Sequence, residues 1–219
     1  MIIGILFIAT GKYIEYFEQV YNSFEQFFLV NHQKKYYLLT DSDNKFPNVN
    51  IISIKYGGFP KDTLYRYHYF LKLKPKIYDD KIDILYYSDV DMKVVNNIND
   101  DILPTSKYPL IGVIHPGFYK NSQKLDMIKI NKNSEAYIDN TEKREYYICG
   151  GIQGGQTSAY FYAMEQMKIM IDNDKKKNII ARWHDESYWN RYMVSNTKLF
   201  KFMKPDYCCP EENLSLIHI

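Results

Sequence analysis

Two aspartates stand where an apolar run of the sequence ends. The residues from Ile84 to Ser88 lead directly into Asp89-Val90-Asp91. Two carboxylates at positions i and i+2 of a strand end can both reach one cation, because the chain turns as it leaves the sheet. Oxygen-only ligands suit Mg²⁺ or Mn²⁺, and such an ion neutralises the charge of a diphosphate. A solvated turn is the alternative, whereas an EF-hand is excluded because its Gly and Glu are missing at the required spacing.

A second cluster of polar groups is Trp183-His184-Asp185-Glu186-Ser187, just before an apolar-patterned helix. A glutamate in a pocket can act as a nucleophile or a general base when its neighbours orient it. The alternative is an ordinary helix start with Asp185 as the N-cap. The His-x-Glu pattern also opens the zinc deaminase signature, but no Pro-Cys-x-x-Cys follows here.

Paired glycines follow Cys149, at positions 150–151 and 154–155. Such pairs allow a ligand to approach the backbone closely, or they form a tight turn, here before a helix near Ser158. The segment matches neither the dinucleotide fingerprint nor a Walker A loop. Cys149 could be a nucleophile beside His184, although a small buried thiol is the more common role of such a cysteine.

A fourth group, His115-Pro116-Gly117-Phe118-Tyr119, follows a strand-like run. It combines a ring donor, a Pro-Gly turn and aromatic rings that could stack on a sugar. A plain Pro-Gly turn explains the same residues.

The elements that must position these groups alternate between strands and helices. Continuous apolar runs predict strands at 2–9, 35–39, 49–54, 82–88 and 110–114. Apolar residues at spacings of three and four predict helices at 13–30, 63–74 (stopped by Pro75), 160–172 and from 185 past 192. Residues 117–145 are predicted to form a long loop, and from Pro205 onward the sequence has no helix or strand periodicity. We therefore expect an α/β fold with a mostly parallel sheet, whose ligands bind beyond the carboxyl ends of strands.

The composition is that of a single globular domain. The chain has 219 residues, 46% of them hydrophobic, and a net charge of +2. This charge is too small to indicate nucleic-acid binding. Three cysteines, two of them adjacent, make neither a disulfide framework nor a zinc motif. We find no signal peptide and no run of about 20 apolar residues, so we expect a soluble, cytoplasmic protein.

Taken in order, these segments resemble glycosyltransferase family 6, the retaining α-1,3-glycosyltransferases that include the histo-blood-group A and B transferases. The resemblance covers roughly residues 2–207 and depends most on His-Pro-Gly-Phe-Tyr and Trp-His-Asp-Glu-Ser, in that order and behind Asp-x-Asp. It implies a GT-A fold, a Rossmann-like α/β domain that binds a UDP-sugar. It also implies transfer of GalNAc or Gal in α-1,3 linkage to a galactose-terminated, in some cases fucosylated, acceptor.

The resemblance also implies residue roles. Mn²⁺, or Mg²⁺ in its place, would be held by Asp89 and Asp91. Glu186 would be the nucleophile or the group that stabilises the cationic sugar, and it would face the acceptor together with His115 and Trp183. The remaining donor-binding positions are Ile8, Thr10, Tyr13, Arg66, Val90, Cys149, Gly150, Gly151 and Asp185. Residues 1–92 would form mainly the UDP-binding half and 93–207 mainly the acceptor-binding half.

Three further expectations concern the choice of donor sugar, the branch of the family and the C-terminal tail. Small residues at Cys149, Gly150 and Gly151 would leave room for an acetamido group, which favours UDP-GalNAc over UDP-Gal. The absence of an anchor suggests the soluble bacterial or phage branch, in which Asp-x-Asp argues for metal dependence. Residues 208–219 would be a remnant of the basic tail that closes over the diphosphate in relatives. A short tail leaves UDP-sugar hydrolysis, or sugar binding without turnover, as alternative functions.

Overall fold

The computed structural model describes residues 1–119 and 130–210. Seven strands lie in one sheet: β1 Ile2–Ile8, β2 Gln33–Thr40, β3 Val49–Ser53, β4 Ile84–Ser88, β5 Leu110–Ile114, β6 Ile148–Gln156 and β7 Phe200–Met203. The helices are α1 Ile14–Phe27, α2 Lys61–Leu64, α3 Arg66–Lys72, α4 Lys74–Asp79, α5 Thr157–Lys176 and α6 His184–Ser195. Short 3-10 turns occur at Gly11–Tyr13, Asp100–Ile102, Pro116–Phe118, Thr197–Leu199 and Pro205–Tyr207.

The sheet has the strand order β3-β2-β1-β4-β6-β5-β7. β1 pairs in parallel with β2 and β4, β2 with β3, and β5 with β7. β6 runs antiparallel to both of its neighbours, β4 and β5. Six strands therefore point in one direction and β6 in the other, which confirms the expected α/β fold with a mostly parallel sheet.

Both faces of the sheet are buried, which is why its strands read as continuous apolar runs. Successive strand residues point to opposite faces, so Phe7 packs in the layer of α1 while Leu6 packs in the layer of α3, α5 and α6. In the first layer Phe7 meets Phe17 and Phe24 of α1 edge to face at 5.5 and 5.3 Å. The second layer includes the fully buried Trp189 of α6. The sheet is thus packed on both faces beneath its carboxyl edge.

The glycine pairs lie in the strand β6, so the tight turn, one of the two interpretations left open by the sequence, was wrong. The tyrosine ring of Tyr86 on β4 lies against Gly154, and the carbonyl oxygen of Pro109 lies against Gly155, so closely that a side chain at either position would collide. The glycines therefore admit close approach of neighbouring groups from both sides. Because β6 runs in reverse, its first residues, Ile148 to Gly151, lie at the carboxyl edge of the other strands.

Two further local predictions need correction. Residues 61–79 form three short helices instead of one helix stopped by Pro75, and this proline lies in the first turn of α4, where its missing N–H costs no helical hydrogen bond. The edge strand β7, which pairs with β5, lies in a segment for which the sequence predicted no element. In the described ranges, no helix is both long and apolar enough to cross a bilayer.

We expect the substitution Gly155→Ala to destabilise the protein. The new methyl group would collide with the carbonyl oxygen of Pro109 and lie 3.1 Å from the Cα atom of Leu110, and neither backbone atom can move without shifting a strand. The free energy of unfolding in urea should fall by about 1–3 kcal/mol, as for other overpacked cores.

The matched control is Gly117→Ala. A methyl group there meets only the side chain of His115, at 3.2 Å, so the loss should stay within about 0.5 kcal/mol. Equal losses in the two variants would contradict the assignment of 154–155 to a tightly packed strand.

Candidate active site

A cavity of about 600 Å³ opens at the carboxyl edge of the sheet. Seven of the residues selected from the sequence line it: Asp89, Val90, Asp91, His115, Cys149, Gly151 and Glu186. They come from the ends of β4 and β5, the start of β6 and the first turn of α6. The segment from Asp206 to Pro210 also lines the cavity. These seven residues therefore converge, although they are up to 97 positions apart in the chain, counted from Asp89 to Glu186.

Arg66 lies behind the cavity wall and is only 4% exposed. Its Nη1 donates to the carbonyl oxygen of Gly150 at 3.0 Å, and its Nη2 lies 3.4 Å from Oδ1 of Asp89. The guanidinium also stands 4.2 Å above the ring of Tyr87, whose hydroxyl donates to Oδ1 of Asp89. Burial disfavours its charge, but Asp185, Tyr87 and Asp89 together raise the pKa of Arg66. The guanidinium therefore ties β4, β6 and α6 together.

Asp185 is almost completely buried, with 2% of its surface exposed. Its Oδ2 lies 3.1 Å from Nε of Arg66, yet this oxygen has no hydrogen-bond partner among the described residues. Burial raises the pKa of Asp185 to about 7, with further contributions from Asp89 and Glu186, against the opposing effect of Arg66. The N-cap of α6 is Trp183 instead of Asp185, so the interpretation of Asp185 as an N-cap was wrong.

Glu186 is held at both of its oxygens. Oε1 accepts a hydrogen bond from the hydroxyl of Tyr147 at 2.6 Å, and Oε2 accepts one from the backbone N–H of Gly150 at 2.7 Å. Burial raises the pKa of Glu186, and these two hydrogen bonds oppose the rise. The carboxyl group thus has a fixed direction, as a nucleophile or a charge stabiliser requires.

Two glycines shape the wall around these carboxyls. A Cβ atom on Gly150 would lie 3.0 Å from Cβ of Glu186 and 3.2 Å from its Oε2, so glycine permits the hydrogen bond between them. A Cβ atom on Gly151 would lie 2.8 Å from Sδ of Met92 and 3.1 Å from Oδ2 of Asp89. The space beside Gly151 is therefore occupied by a flexible methionine side chain.

The thiol of Cys149 is buried, and burial followed by a hydrogen bond with Cys208 raises its pKa. A reactive thiolate needs the opposite shift. The structure agrees with the interpretation of Cys149 as a small buried thiol and gives no support to a nucleophile.

The predicted acceptor residues lie on different parts of the site. His115 is partly buried; its Nδ1 accepts from the N–H of Gly117 at 3.0 Å, and burial lowers its pKa, which favours a neutral ring. Trp183 does not line the cavity; it is 47% exposed beside Arg182, whose guanidinium lies 5.3 Å from the indole. Between Trp183 and Asp185 the chain turns at His184 with a φ of +47°, so that the indole is exposed while the next carboxyl is buried.

Three predicted donor residues, Ile8, Thr10 and Tyr13, leave β1 at the same edge but do not line the cavity. The hydroxyl of Thr10 donates to Oδ2 of Asp62 at 2.9 Å. This buried carboxylate also accepts from the N–H groups of Gly57 and Gly58 at 3.1 Å each. Asp62 thereby joins the loop after β1 to the loop before α2, and sequence reasoning missed it.

Sequence reasoning also missed Tyr87 and Asn190, although the spacing of each from a predicted site residue could have identified it. Tyr87 lies two residues before Asp89, which places both on one strand face. Asn190 lies four residues after Glu186 on α6, on the same helix face. Its side chain pairs with the N–H and C=O of Ile148 at 2.9 and 2.8 Å, and donates to the carbonyl oxygen of Glu186 at 2.9 Å. Asn190 thus fastens α6 to the start of β6.

The carboxyl groups of the cavity fit a divalent cation. Partial burial, followed by the charge of Asp89, raises the pKa of Asp91, as expected for like charges that a cation would relieve. Among residues 1–119 and 130–210, no three His, Cys, Asp or Glu side chains converge on one point. Asp89 and Asp91 would therefore supply two ligands, and the other positions would go to water or ligand oxygens, as is usual for Mg²⁺.

Comparison with known proteins agrees with this geometry. The sequence profile of Glycosyltransferase family 6 matches residues 1–216. The O-antigen biosynthesis glycosyltransferase WbnI of Escherichia coli is 34% identical over 216 residues, which cover 97% of this chain and 89% of that protein.

Two mammalian proteins are also similar. Histo-blood group ABO system transferase 1 of Rattus norvegicus is 27% identical over 214 residues, which cover 94% of this chain and 60% of the rat protein. Globoside alpha-1,3-N-acetylgalactosaminyltransferase 1 of Homo sapiens has the same identity and the same coverage of both chains. This chain thus spans about three fifths of the length of these mammalian relatives.

We expect Asp185 to make stability fall as the pH rises. Its carboxyl binds a proton more tightly in the folded chain, where the pKa is about 7, than at the ordinary value of 3.8. The folded state therefore loses stability as the pH rises from about 4 to about 7, by at most about 1.4 kcal/mol per pH unit from this group. Urea unfolding between pH 5 and 7 should show a flatter slope for Asp185→Asn than for the wild type.

Asp139→Asn serves as the control. Asp139 is exposed, and hydrogen bonds from Thr141 lower its pKa, so its contribution changes only below pH 3.8 and the slope should match the wild type. Parallel curves for Asp185→Asn and the wild type would show that Asp185 ionises normally.

Proposed function

The chain belongs to glycosyltransferase family 6, and on that premise we propose that it transfers GalNAc, or Gal, from a UDP-sugar in α-1,3 linkage to a galactoside with retention of the anomer. One observation carries this proposal most directly: the Asp89 and Asp91 carboxylates and the fixed Glu186 carboxylate line the same cavity. Breaking a sugar–phosphate bond builds positive charge on the sugar and negative charge on UDP. The carboxylates of this cavity could stabilise the positive charge on the sugar directly and the negative charge on UDP through a bound cation.

Asp89 and Asp91 are the residues that would hold the divalent cation. Such a cation, when bound, neutralises negative charge on the leaving diphosphate. Arg66 supports the arrangement from behind, because its contact with Oδ1 of Asp89 at 3.4 Å and the hydrogen bond from the hydroxyl of Tyr87 hold that carboxylate in place at the cavity.

Glu186 is the group we assign to the sugar. Its hydrogen bonds to Tyr147 and Gly150 hold the carboxylate in place, so that it can stabilise the developing oxocarbenium charge without reorganising. Retention follows from attack by Glu186 to form a glycosyl-enzyme, as in retaining glycosidases, or from front-side attack by the acceptor within one ion pair. His115 and the exposed Trp183 are the proposed acceptor contacts.

Oδ2 of Asp185 is ion-paired with Nε of Arg66 at 3.1 Å but makes no hydrogen bond with the described residues, so it suits a hydroxyl group of the donor sugar. A sugar hydroxyl that donates to this oxygen would supply the missing hydrogen bond on binding. This is a physical reason for the donor role proposed for Asp185.

Binding of the larger donor depends on the wall at Gly151. The small side chains leave a recess that Met92 fills, and its thioether can move at little cost because methionine is flexible. We therefore propose that UDP-GalNAc is preferred over UDP-Gal. The residues from Asp206 to Pro210 also line the cavity, and exclusion of water by such a segment would favour transfer over hydrolysis of the donor.

We expect UDP release with Mn²⁺ to depend on lactose or a fucosylated galactoside, and to be faster with UDP-GalNAc in competition with UDP-Gal. Glu186→Gln should lower the rate at least about 100-fold, since the carboxylate that stabilises the sugar cation is lost. Mass spectrometry and NMR of the product identify the sugar and its linkage.

The other outcomes of this assay each exclude a part of the proposal. UDP release independent of acceptor indicates a hydrolase, and sugar binding without release indicates a binding protein. A strong preference for UDP-Gal contradicts the donor assignment alone.

Gly151→Trp should abolish transfer, because the indole fills the recess beside Met92.

We also expect metal dependence through Asp91. Asp91→Asn should raise the Mn²⁺ concentration needed for half-maximal rate by about 10-fold or more, because an amide oxygen carries no charge. Asp206→Asn is the matched control, since this exposed carboxyl lines the same cavity but has no proposed ligand role. Full activity of the wild type after dialysis against EDTA would contradict the metal assignment.

A further inference from the structure

Tyr147 stands between the two halves of the site. It precedes β6 directly, and only 2% of its surface is exposed. Its hydroxyl donates to Oε1 of Glu186 at 2.6 Å. Its ring packs at 4.7 Å from Phe118 and at 5.8 Å from His115, between ring centroids. One side chain therefore touches both the carboxylate proposed to act on the sugar and the turn proposed to bind the acceptor.

The backbone reinforces this link. The N–H of His115 donates to the carbonyl oxygen of Tyr147 at 2.8 Å, so the acceptor turn is bonded to Tyr147 through main chain as well as through ring contacts. On the other side, Asn190 holds Ile148, the residue after Tyr147, to α6. The backbone at Tyr147 and Ile148 is thus held on both sides, and the bond of the Tyr147 hydroxyl to Glu186 orients the side chain.

We propose that Tyr147 is the positioning residue of the site: its hydroxyl sets the orientation of Glu186, and its ring sets the distance between Glu186 and the acceptor turn at His115. This inference rests on the proposed function. It adds that the hydroxyl and the ring of Tyr147 have separate roles. The hydroxyl governs the chemical step, because a carboxylate held by a single N–H can rotate away from the sugar. The ring governs acceptor binding, because it supports the rings of His115 and Phe118.

Several titratable groups lie near Tyr147 and Glu186, and a test of this pair must leave those groups unchanged. Asp89 disfavours the charge of Glu186, while Arg66 favours it. Glu186 in turn raises the pKa of Asp185 and of Cys149, and Arg144 acts on Tyr147 itself. None of these groups is altered by a change at the hydroxyl of Tyr147 alone.

The decisive comparison is between Tyr147→Phe and Tyr147→Leu. Tyr147→Phe removes only the hydroxyl, so we expect kcat to fall about 10- to 100-fold while the acceptor KM changes less than about 3-fold. Its loss also raises the pKa of Glu186, because the hydroxyl favours the charged form, and the acid limb of the kcat–pH profile should move to higher pH. Tyr147→Leu removes the ring as well and should raise the acceptor KM by about 10-fold or more.

Two further variants separate a positioning role from a structural one. In the Glu186→Gln background, Tyr147→Phe should cause little additional loss, since coupled residues are not additive. Tyr146→Phe is the matched control: the ring of this neighbouring tyrosine packs on Phe202 at 4.7 Å, so kinetics should match the wild type. An unchanged kcat and acid limb for Tyr147→Phe, or equal effects of Tyr146→Phe, would overturn the proposal.

A second experiment tests the inference without turnover. NMR titration of the glutamate carboxyl carbons in the protein without metal or donor, with Glu186→Gln to identify the signal, should show the Glu186 midpoint moving to higher pH in Tyr147→Phe, because the hydroxyl of Tyr147 lowers the pKa of Glu186. Substitution of 3,5-difluorotyrosine at position 147 keeps the size of the residue and strengthens the donor, so it should move the midpoint down. Unmoved midpoints in both variants refute the positioning role even if transfer is established, whereas absence of transfer in the wild type refutes only the proposed function.

Discussion

The buried guanidinium of Arg66 is the charge around which the site is organised. At 4% exposure its charge must be compensated by carboxylates, since an unpaired buried charge costs several kcal/mol. Those carboxylates are Asp89 at the end of β4 and Asp185 in the first turn of α6. Its hydrogen bond to Gly150 adds the start of β6. Elements distant in the chain are therefore held together by the compensation of one charge.

The reversal of β6 is the geometric condition for this arrangement. A strand parallel to its neighbours would bring its last residues to the carboxyl edge, but antiparallel β6 brings its first residues there. Gly150 then presents its carbonyl oxygen to Arg66 and its N–H to Glu186. The absence of a side chain matters at this position, since a Cβ atom would lie 3.0 Å from Cβ of Glu186.

The chemistry proposed for the cavity follows from its charge. Asp89, Asp91, Asp185 and Glu186 face or adjoin it, and Arg66 offsets only part of their charge. Their mutual repulsion raises the pKa of Asp91, Asp185 and Glu186, after burial as the largest cause. A divalent cation and a sugar that becomes positive in the transition state both relieve this repulsion. In the proposed reaction the carboxylates would stabilise the positive charge that develops on the sugar, and the cation would neutralise the negative charge on the diphosphate.

The amino-acid sequence by itself determined the apolar runs such as Ile2–Ile8 and Leu110–Ile114, the amphipathic helices and the carboxylates at strand ends, because these signals are local and periodic. It predicted Asp89, Asp91 and Glu186 as a site through ordered motifs. Only the tertiary structure decided that the glycine pairs form β6, since a glycine-rich segment has little intrinsic strand preference and becomes a strand through pairing with β4 and β5. Likewise, the contacts of Arg66 with Asp185 and of Tyr147 with Glu186 join residues 119 and 39 positions apart, and only the folded chain brings such residues together.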